Sequence, residues 1–91
     1  MSLNRYAAKR DKNEPEIIQA FEEMGCSVTR LNAPMDLLIG HEGLNLIVGV
    51  KTKAGKLTPA QKEFISRHKG TYAVVRSVEE AKQLIENLSA S

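Results

Sequence analysis

Two charged residues stand at the ends of apolar segments, where they could carry out chemistry together. Asp36 lies near the start of the apolar segment 35–40, and Lys51 ends the apolar segment 44–51. If the two segments pair as an antiparallel hairpin, these ends are neighbours, so Asp36 and Lys51 meet at one edge of a sheet. A carboxylate within an apolar strand is costly to bury unless it is paired or bound to a metal ion.

This pair has two interpretations. In the first, Asp36 and Lys51 form an ion pair that only stabilises the fold. In the second, Asp36 binds a hard divalent cation, which prefers oxygen ligands and can activate water for phosphodiester hydrolysis. Lys51 would then stabilise the negative charge that develops, or orient the attacking water.

The sequence gives little support for a zinc site, a phosphate-binding loop or a nucleophilic cysteine. One Cys and two His cannot fill a structural zinc site, and the six glycines are scattered and do not form a phosphate-binding loop. A Cys–His nucleophile through Cys26 is formally possible, but a lone cysteine at the start of a strand is more typical of a small buried residue.

Length and composition favour one small domain. The chain has 91 residues, of which 42% are hydrophobic and 26% charged, values typical of a globular protein. A single cysteine suits a reducing compartment, and the sequence shows neither a membrane-spanning run nor a signal peptide. We therefore expect a cytoplasmic protein whose thin core favours a homodimer.

The positive charge is concentrated in two segments. Residues 51–69 hold six Lys or Arg against the single acid Glu63, and residues 1–12 add Arg5, Lys9 and Arg10. Such a pattern indicates a site for a polyanion, although an ordinary solvated surface is the alternative.

Local patterns predict the order αβββαβα. Asn13 and Glu16 suggest a capping box for a first helix over 13–24, and Thr58 with Gln61 suggests another for a helix over 58–68. The remaining predicted elements are strands at 26–32, 35–40, 44–51 and 71–76, a three-residue hairpin connection at 41–43, and a last helix after the cap Ser77. This order predicts a mixed four-stranded sheet flanked by helices. We expect a basic arm at 1–12, a single domain at 13–88 and a frayed tail at 89–91.

These residues carry a resemblance to a known family. Asp36, the strand that ends in Val50-Lys51, and the segment Gly55-Lys56-Leu57-Thr58-Pro59-x-Gln61 resemble the PD-(D/E)xK nuclease superfamily. Within it, the chain is similar to virus-type replication-repair nuclease (VRR-NUC) domains, which are relatives of Holliday-junction resolvases. The resemblance extends from about Asn13 to Leu88 and implies a restriction-endonuclease-like core.

The resemblance also implies roles for individual residues. Glu14, Asp36 and the backbone carbonyl of Val50 would bind Mg²⁺ or Mn²⁺, Lys51 would be the catalytic lysine, and Gln61 would border the active site. Simpler roles exist for two of them, because Glu14 can complement a helix N-terminus and Gln61 can complete a capping box.

The sequence departs from the family pattern at two positions. Met35 stands between Pro34 and Asp36, where the family has Pro directly before Asp. Gly49 takes the position of the family's second acidic metal ligand, two residues before Lys51, and no neighbouring acid clearly replaces it. The resemblance therefore implies an enzyme that is impaired as written.

We accordingly expect a metal-dependent, structure-selective DNA endonuclease domain that acts on branched or flapped DNA. Its phosphate contacts would come from the basic residues of the arm and of the segment after Lys51, namely Arg5, Lys9, Arg10, Lys53, Lys56 and Lys62. The alternatives are a non-catalytic DNA-binding module on the same fold, or a protein-interaction domain.

Overall fold

The part of the chain that the structure describes forms three helices and four strands. A computed structural model describes residues 11–90, with Ala90 described by its backbone alone. The elements in chain order are α1 (Glu14–Glu23), β1 (Ser27–Arg30), β2 (Leu37–His41), β3 (Leu44–Val50), α2 (Pro59–Arg67), β4 (Tyr72–Val75) and α3 (Val78–Ala90). The predicted order αβββαβα is therefore confirmed.

The four strands form one mixed sheet in the order β1-β2-β3-β4. β1, β2 and β3 are antiparallel neighbours, with Val28 opposite Ile39 and Leu37 opposite Val48. β4 is parallel to β3, and α2 makes the crossover between them. The predicted mixed sheet is confirmed, and the ends of β3 and β4 lie side by side at one edge.

The hydrophobic core lies between the sheet and the helices α1 and α3. Alternate residues of the strands point into it, since successive side chains of a strand face opposite sides. The fully buried large side chains of this core include Ile17 and Phe21 from α1, and Leu37, Ile39, Val48 and Val75 from the sheet.

Two turns that the sheet needs use left-handed backbone. Gly25 has φ +85° and ends α1, with its N–H and that of Cys26 donating back to Glu22 and Phe21. The β2–β3 turn has two residues, Glu42 (φ 50°) and Gly43 (φ 83°), because His41 already pairs with Leu44. The predicted three-residue connection is therefore one residue too long.

The crossover helix begins as predicted but is only shallowly packed. Thr58 accepts the N–H of Gln61, and the Gln61 side chain accepts the N–H of Thr58, so the capping box is confirmed. Phe64 and Ile65, the large apolar residues of this helix, are only half-buried. Gln61 is the buried residue of this helix.

The capping box predicted for the first helix is wrong. The Asn13 side chain makes no capping hydrogen bond. Its Nδ2 instead donates to the carbonyls of Lys51 (2.9 Å) and Arg76 (3.0 Å). Asn13 therefore ties the start of α1 to the residues that follow β3 and β4.

At the C-terminal end, α3 continues through Ala90, beyond the point where fraying was expected. The Ser89 hydroxyl lies 3.3 Å from His41 Nε2, which gives this last turn a contact with β2. Within residues 11–90, none of the helices is long and apolar enough to cross a membrane.

The role of Asn13 can be tested by Asn13→Asp, with Asn13→Ser as its partner. A helix cap would accept either residue, since Asp and Ser cap about as well as Asn. The structure predicts that Asn13→Asp destabilises the fold by about 2 kcal/mol or more, because a carboxylate would face two carbonyls that have lost their donor. Urea unfolding measures the change.

Equal stability of Asn13→Asp and the unaltered chain would contradict this role and restore the capping interpretation. Asn13→Ser should show a smaller loss than Asn13→Asp, since it removes the amide donor without adding negative charge.

Candidate functional site

The loop between β1 and β2 carries Asp36 to the end of β3. The Asp36 backbone is held on both sides, with its N–H donating to Val48 (3.1 Å) and its carbonyl accepting from Leu31 (2.7 Å). The half-buried side chain turns to the strand end, where Asp36 Oδ2 accepts the backbone N–H of Val50 at 2.7 Å. The carboxylate is therefore fixed directly beside the residue that precedes Lys51.

Lys51 lies just beyond β3 and is held by its backbone. Its N–H donates to the carbonyl of Val75 (3.0 Å), and its carbonyl accepts from Asn13 Nδ2 (2.9 Å). The side chain is half-buried. Asp36 and Lys51 thus reach the same edge of the sheet, the placement that the sequence predicts for them.

Glu14 approaches this edge from α1. It follows Asn13, whose amide binds the carbonyl of Lys51, and its side chain is only 2% exposed. Asn13 therefore positions Glu14 as well as the strand ends. The sequence did not predict this role, because the pattern around Asn13 suggested a helix cap. The proposed ligand roles of Glu14, Asp36 and the Val50 carbonyl remain predictions.

Gln61 connects α2 to the loop that carries Asp36. It is 5% exposed, and its Nε2 donates to the carbonyl of Pro34 at 2.9 Å. Its Oε1 accepts the N–H of Thr58 at 3.0 Å. Gln61 therefore joins the helix start to the loop that carries Asp36, while its place at the border of an active site and a direct catalytic role remain predictions.

Gly49 faces a side chain that the sequence analysis did not connect with it. Met35 is 2% exposed, and a Cβ built on Gly49 would lie 3.1 Å from Met35 Cε and 3.7 Å from its sulfur. Val74 Cγ2 lies 3.8 Å from the same point. The position of the missing acid is therefore filled by apolar atoms, and Met35 does more than alter a turn.

The residues present fit the cation site that the resemblance implies only in part, since Glu14, Asp36 and the Val50 carbonyl remain but Gly49 replaces one acid. Between residues 11 and 90, no three His, Cys, Asp or Glu side chains come together in a group that could hold a metal ion. Gly49 offers no ligand, and the atoms around it belong to Met35 and Val74. A hard cation prefers several oxygen ligands, which this apolar contact does not supply.

The segment 52–57 after Lys51 is organised by Arg76, a residue that the sequence analysis missed. Arg76 Nη1 donates to the carbonyls of Thr52 (2.9 Å) and Gly55 (2.5 Å). The only signal in the sequence was its place directly after β4, at the strand edge that the segment must cross. Arg76 therefore fixes the backbone that carries Lys53 and Lys56.

The predicted DNA-binding lysines are open to solvent. Lys53, Lys56 and Lys62 are all exposed, the first two on the segment that Arg76 holds and the third on α2. Arg67 lies further along the same helix, 3.9 Å from Glu63. The other predicted phosphate ligands, Arg5, Lys9 and Arg10, lie outside the described residues.

The Cys–His pair that was formally possible does exist, but away from this edge. Cys26 Sγ lies 3.6 Å from His41 Nδ1, at the opposite end of β2 from Asp36. Burial raises the pKa of the Cys26 thiol, which disfavours the nucleophilic thiolate. This pair is therefore a packed contact, as the simpler interpretation expects.

Comparison with known proteins bears on the fold. A solved structure described as a VRR_NUC domain superimposes with a TM-score of 0.65 and 27% sequence identity, covering 82% of this chain and 91% of that one. No protein-family model matches the chain. No curated protein matches it either. The resemblance to VRR-NUC domains drawn from the sequence is thereby confirmed.

The bond between Asp36 and Val50 predicts different costs for two substitutions. Asp36→Ala leaves the N–H of Val50 without this acceptor and should destabilise the fold by about 1–3 kcal/mol. Asp36→Asn keeps an oxygen at the same place and should cost clearly less. Urea unfolding of the two variants in EDTA measures both.

An equal loss in the two variants would contradict this prediction. It would show that the charge of Asp36, as in the ion-pair interpretation, and not its acceptor oxygen, holds the loop against β3.

Proposed function

We propose that this chain, a VRR-NUC domain by fold, is a nuclease-type domain that binds DNA through its phosphates and is impaired in hydrolysis as written. The observation that carries the proposal is the segment of exposed lysines that Arg76 holds next to the edge with Asp36 and Lys51. The fold supports the nuclease class, and the charge supports the nucleic acid.

Phosphate binding needs cations that are exposed and held at fixed spacing. Lys53, Lys56 and Lys62 meet the first requirement, and the hydrogen bonds of Arg76 to the backbone of Thr52 and Gly55 meet the second. Contacts of this kind neutralise phosphates without reading bases, so affinity should depend on salt and hardly on sequence.

On the catalytic side, the arrangement of three residues supports the proposal. Asp36 and Lys51 reach one edge of the sheet, with Gln61 beside the loop that carries Asp36. The acid expected at position 49 is absent. Family resemblance implies Mg²⁺ or Mn²⁺ as cofactor, and we propose that the loss of this ligand accounts for impaired cleavage.

The packing of Met35 favours a second candidate, a non-catalytic DNA-binding module on the same fold. A Cβ on Gly49 would meet the methyl of Met35 at 3.1 Å, so a side chain at position 49 would be crowded. A filled position suits a protein that retains DNA binding without cleavage. Both candidates share the phosphate contacts, and they differ in whether cleavage persists.

We also propose a class of DNA substrate and an oligomeric state. Branched or flapped DNA is proposed from the family resemblance, and a homodimer from the small core that 91 residues can bury. Two copies related by symmetry would present two equivalent edges to one branched substrate.

The proposal predicts the behaviour of lysine variants in DNA binding. Combined replacement of Lys53, Lys56 and Lys62 by Gln should weaken binding to unrelated sequences by similar factors, and should lower the salt slope by about one for each lost phosphate contact. Fluorescence anisotropy on duplex, flap and four-way-junction DNA measures affinity at several salt concentrations.

The matched control is Lys82→Gln, which removes one exposed charge from α3, compared with Lys56→Gln alone. Lys56→Gln should reduce affinity more than Lys82→Gln does. Unchanged affinity of the triple variant, or equal effects of the two single variants, would remove this assignment.

A further inference from the structure

We infer that Met35 crowds the place where a side chain of residue 49 would begin, so that this edge binds a divalent cation poorly until both residue 35 and residue 49 are changed. The inference rests on the proposed nuclease-type site and goes beyond it, since it assigns a role to a methionine outside the expected machinery. Met35 and Gly49 are the two departures from the family pattern, and because they lie next to each other they form one structural feature.

The first step concerns space. The backbone of Gly49 is buried, and the end of the Met35 side chain lies close to the point where a side chain of residue 49 would begin, with its methyl 3.1 Å and its sulfur 3.7 Å from the Cβ position. A contact this short requires the methyl group to move by a few tenths of an ångström. The remaining atoms of a glutamate side chain, beyond its first methylene, need much more room than that.

The second step concerns polarity. The nearest atoms to the Cβ position are the methyl and sulfur of Met35 and a methyl of Val74, none of which hydrogen-bonds a carboxylate well. Burial among apolar atoms disfavours the ionised form of an acid and raises its pKa. A glutamate whose carboxylate is kept among these atoms by Met35 would therefore be a poor cation ligand.

The third step connects the two residues. Glycine leaves room for the methionine, and a flexible methionine fills the gap that a glycine leaves in a packed sheet. Asp36 stays in place beside them through its bond to the Val50 N–H. Changing Gly49 to Glu alone therefore leaves the position crowded by Met35. Changing Met35 alone leaves it without an acidic ligand.

The experiment compares Gly49→Glu, Met35→Ala and the combination of both with the unaltered chain. Each protein is melted in EDTA and in Mn²⁺ at constant ionic strength, and Mn²⁺ affinity is measured by calorimetry. The combined variant should bind Mn²⁺ about tenfold or more tightly than Gly49→Glu, a coupling of ordinary size for two residues in contact. The unaltered chain and Met35→Ala should show no melting shift specific to Mn²⁺.

A volume-matched control distinguishes the effect of the space freed at position 35 from the effect of removing the methionine thioether. Met35→Leu combined with Gly49→Glu keeps the position filled, so its Mn²⁺ affinity should stay at the level of Gly49→Glu. If the alanine combination does not fold, Met35→Val with Gly49→Glu takes its place, since valine is shorter than methionine and still apolar.

Three results would overturn the inference. They are a Mn²⁺-specific shift in the unaltered chain, an affinity of Gly49→Glu equal to that of the combined variant, or no binding by any variant that includes the Gly49→Glu substitution. These readouts use no DNA, so they remain decisive if DNA binding itself fails. Loss of DNA binding in both EDTA and Mn²⁺ would count against the proposed function alone.

Discussion

The loop before β2 must be held against the end of β3 for this edge of the sheet to exist. The Asp36 carboxylate does so by accepting the N–H of Val50, and Gln61 fastens the same loop to α2 through the carbonyl of Pro34. Asn13 closes the other side by binding the carbonyls of Lys51 and Arg76. Three polar side chains from three parts of the chain thus fix one edge, because each meets a backbone group that the sheet leaves unpaired.

Apolar atoms lie beside Gly49 at this ordered edge. A Cβ built on Gly49 would lie 3.1 Å from the methyl of the buried Met35 side chain and 3.8 Å from a methyl of Val74. The lysine segment follows this edge and is held by the side chain of Arg76, whose carbonyl Asn13 also binds. The proposed phosphate contacts and the proposed cation site therefore share Arg76 as a neighbour.

The sequence predicted those features that follow from local patterns. The order of the elements, the capping box of Thr58 and Gln61, and the approach of Asp36 to Lys51 came from periodicity and from the antiparallel hairpin. The prediction that Asn13 caps the first helix was wrong, since the sequence does not distinguish a capping side chain from one that donates to a distant carbonyl. The contact of Met35 with Gly49 could not be predicted, because it depends on how an irregular loop folds over a strand that is distant in the sequence.

The edge proposed here is ordered and yet binds a divalent cation poorly. Titration of Mn²⁺ into the ¹⁵N-labelled chain measures this property, since the paramagnetic ion broadens the amide signals of residues close to it. We predict that Asp36, Val50 and Lys51 broaden no more than the exposed acidic residues Glu79 and Glu86 of α3. Selective loss of the Asp36 and Val50 signals at substoichiometric Mn²⁺ would contradict the account.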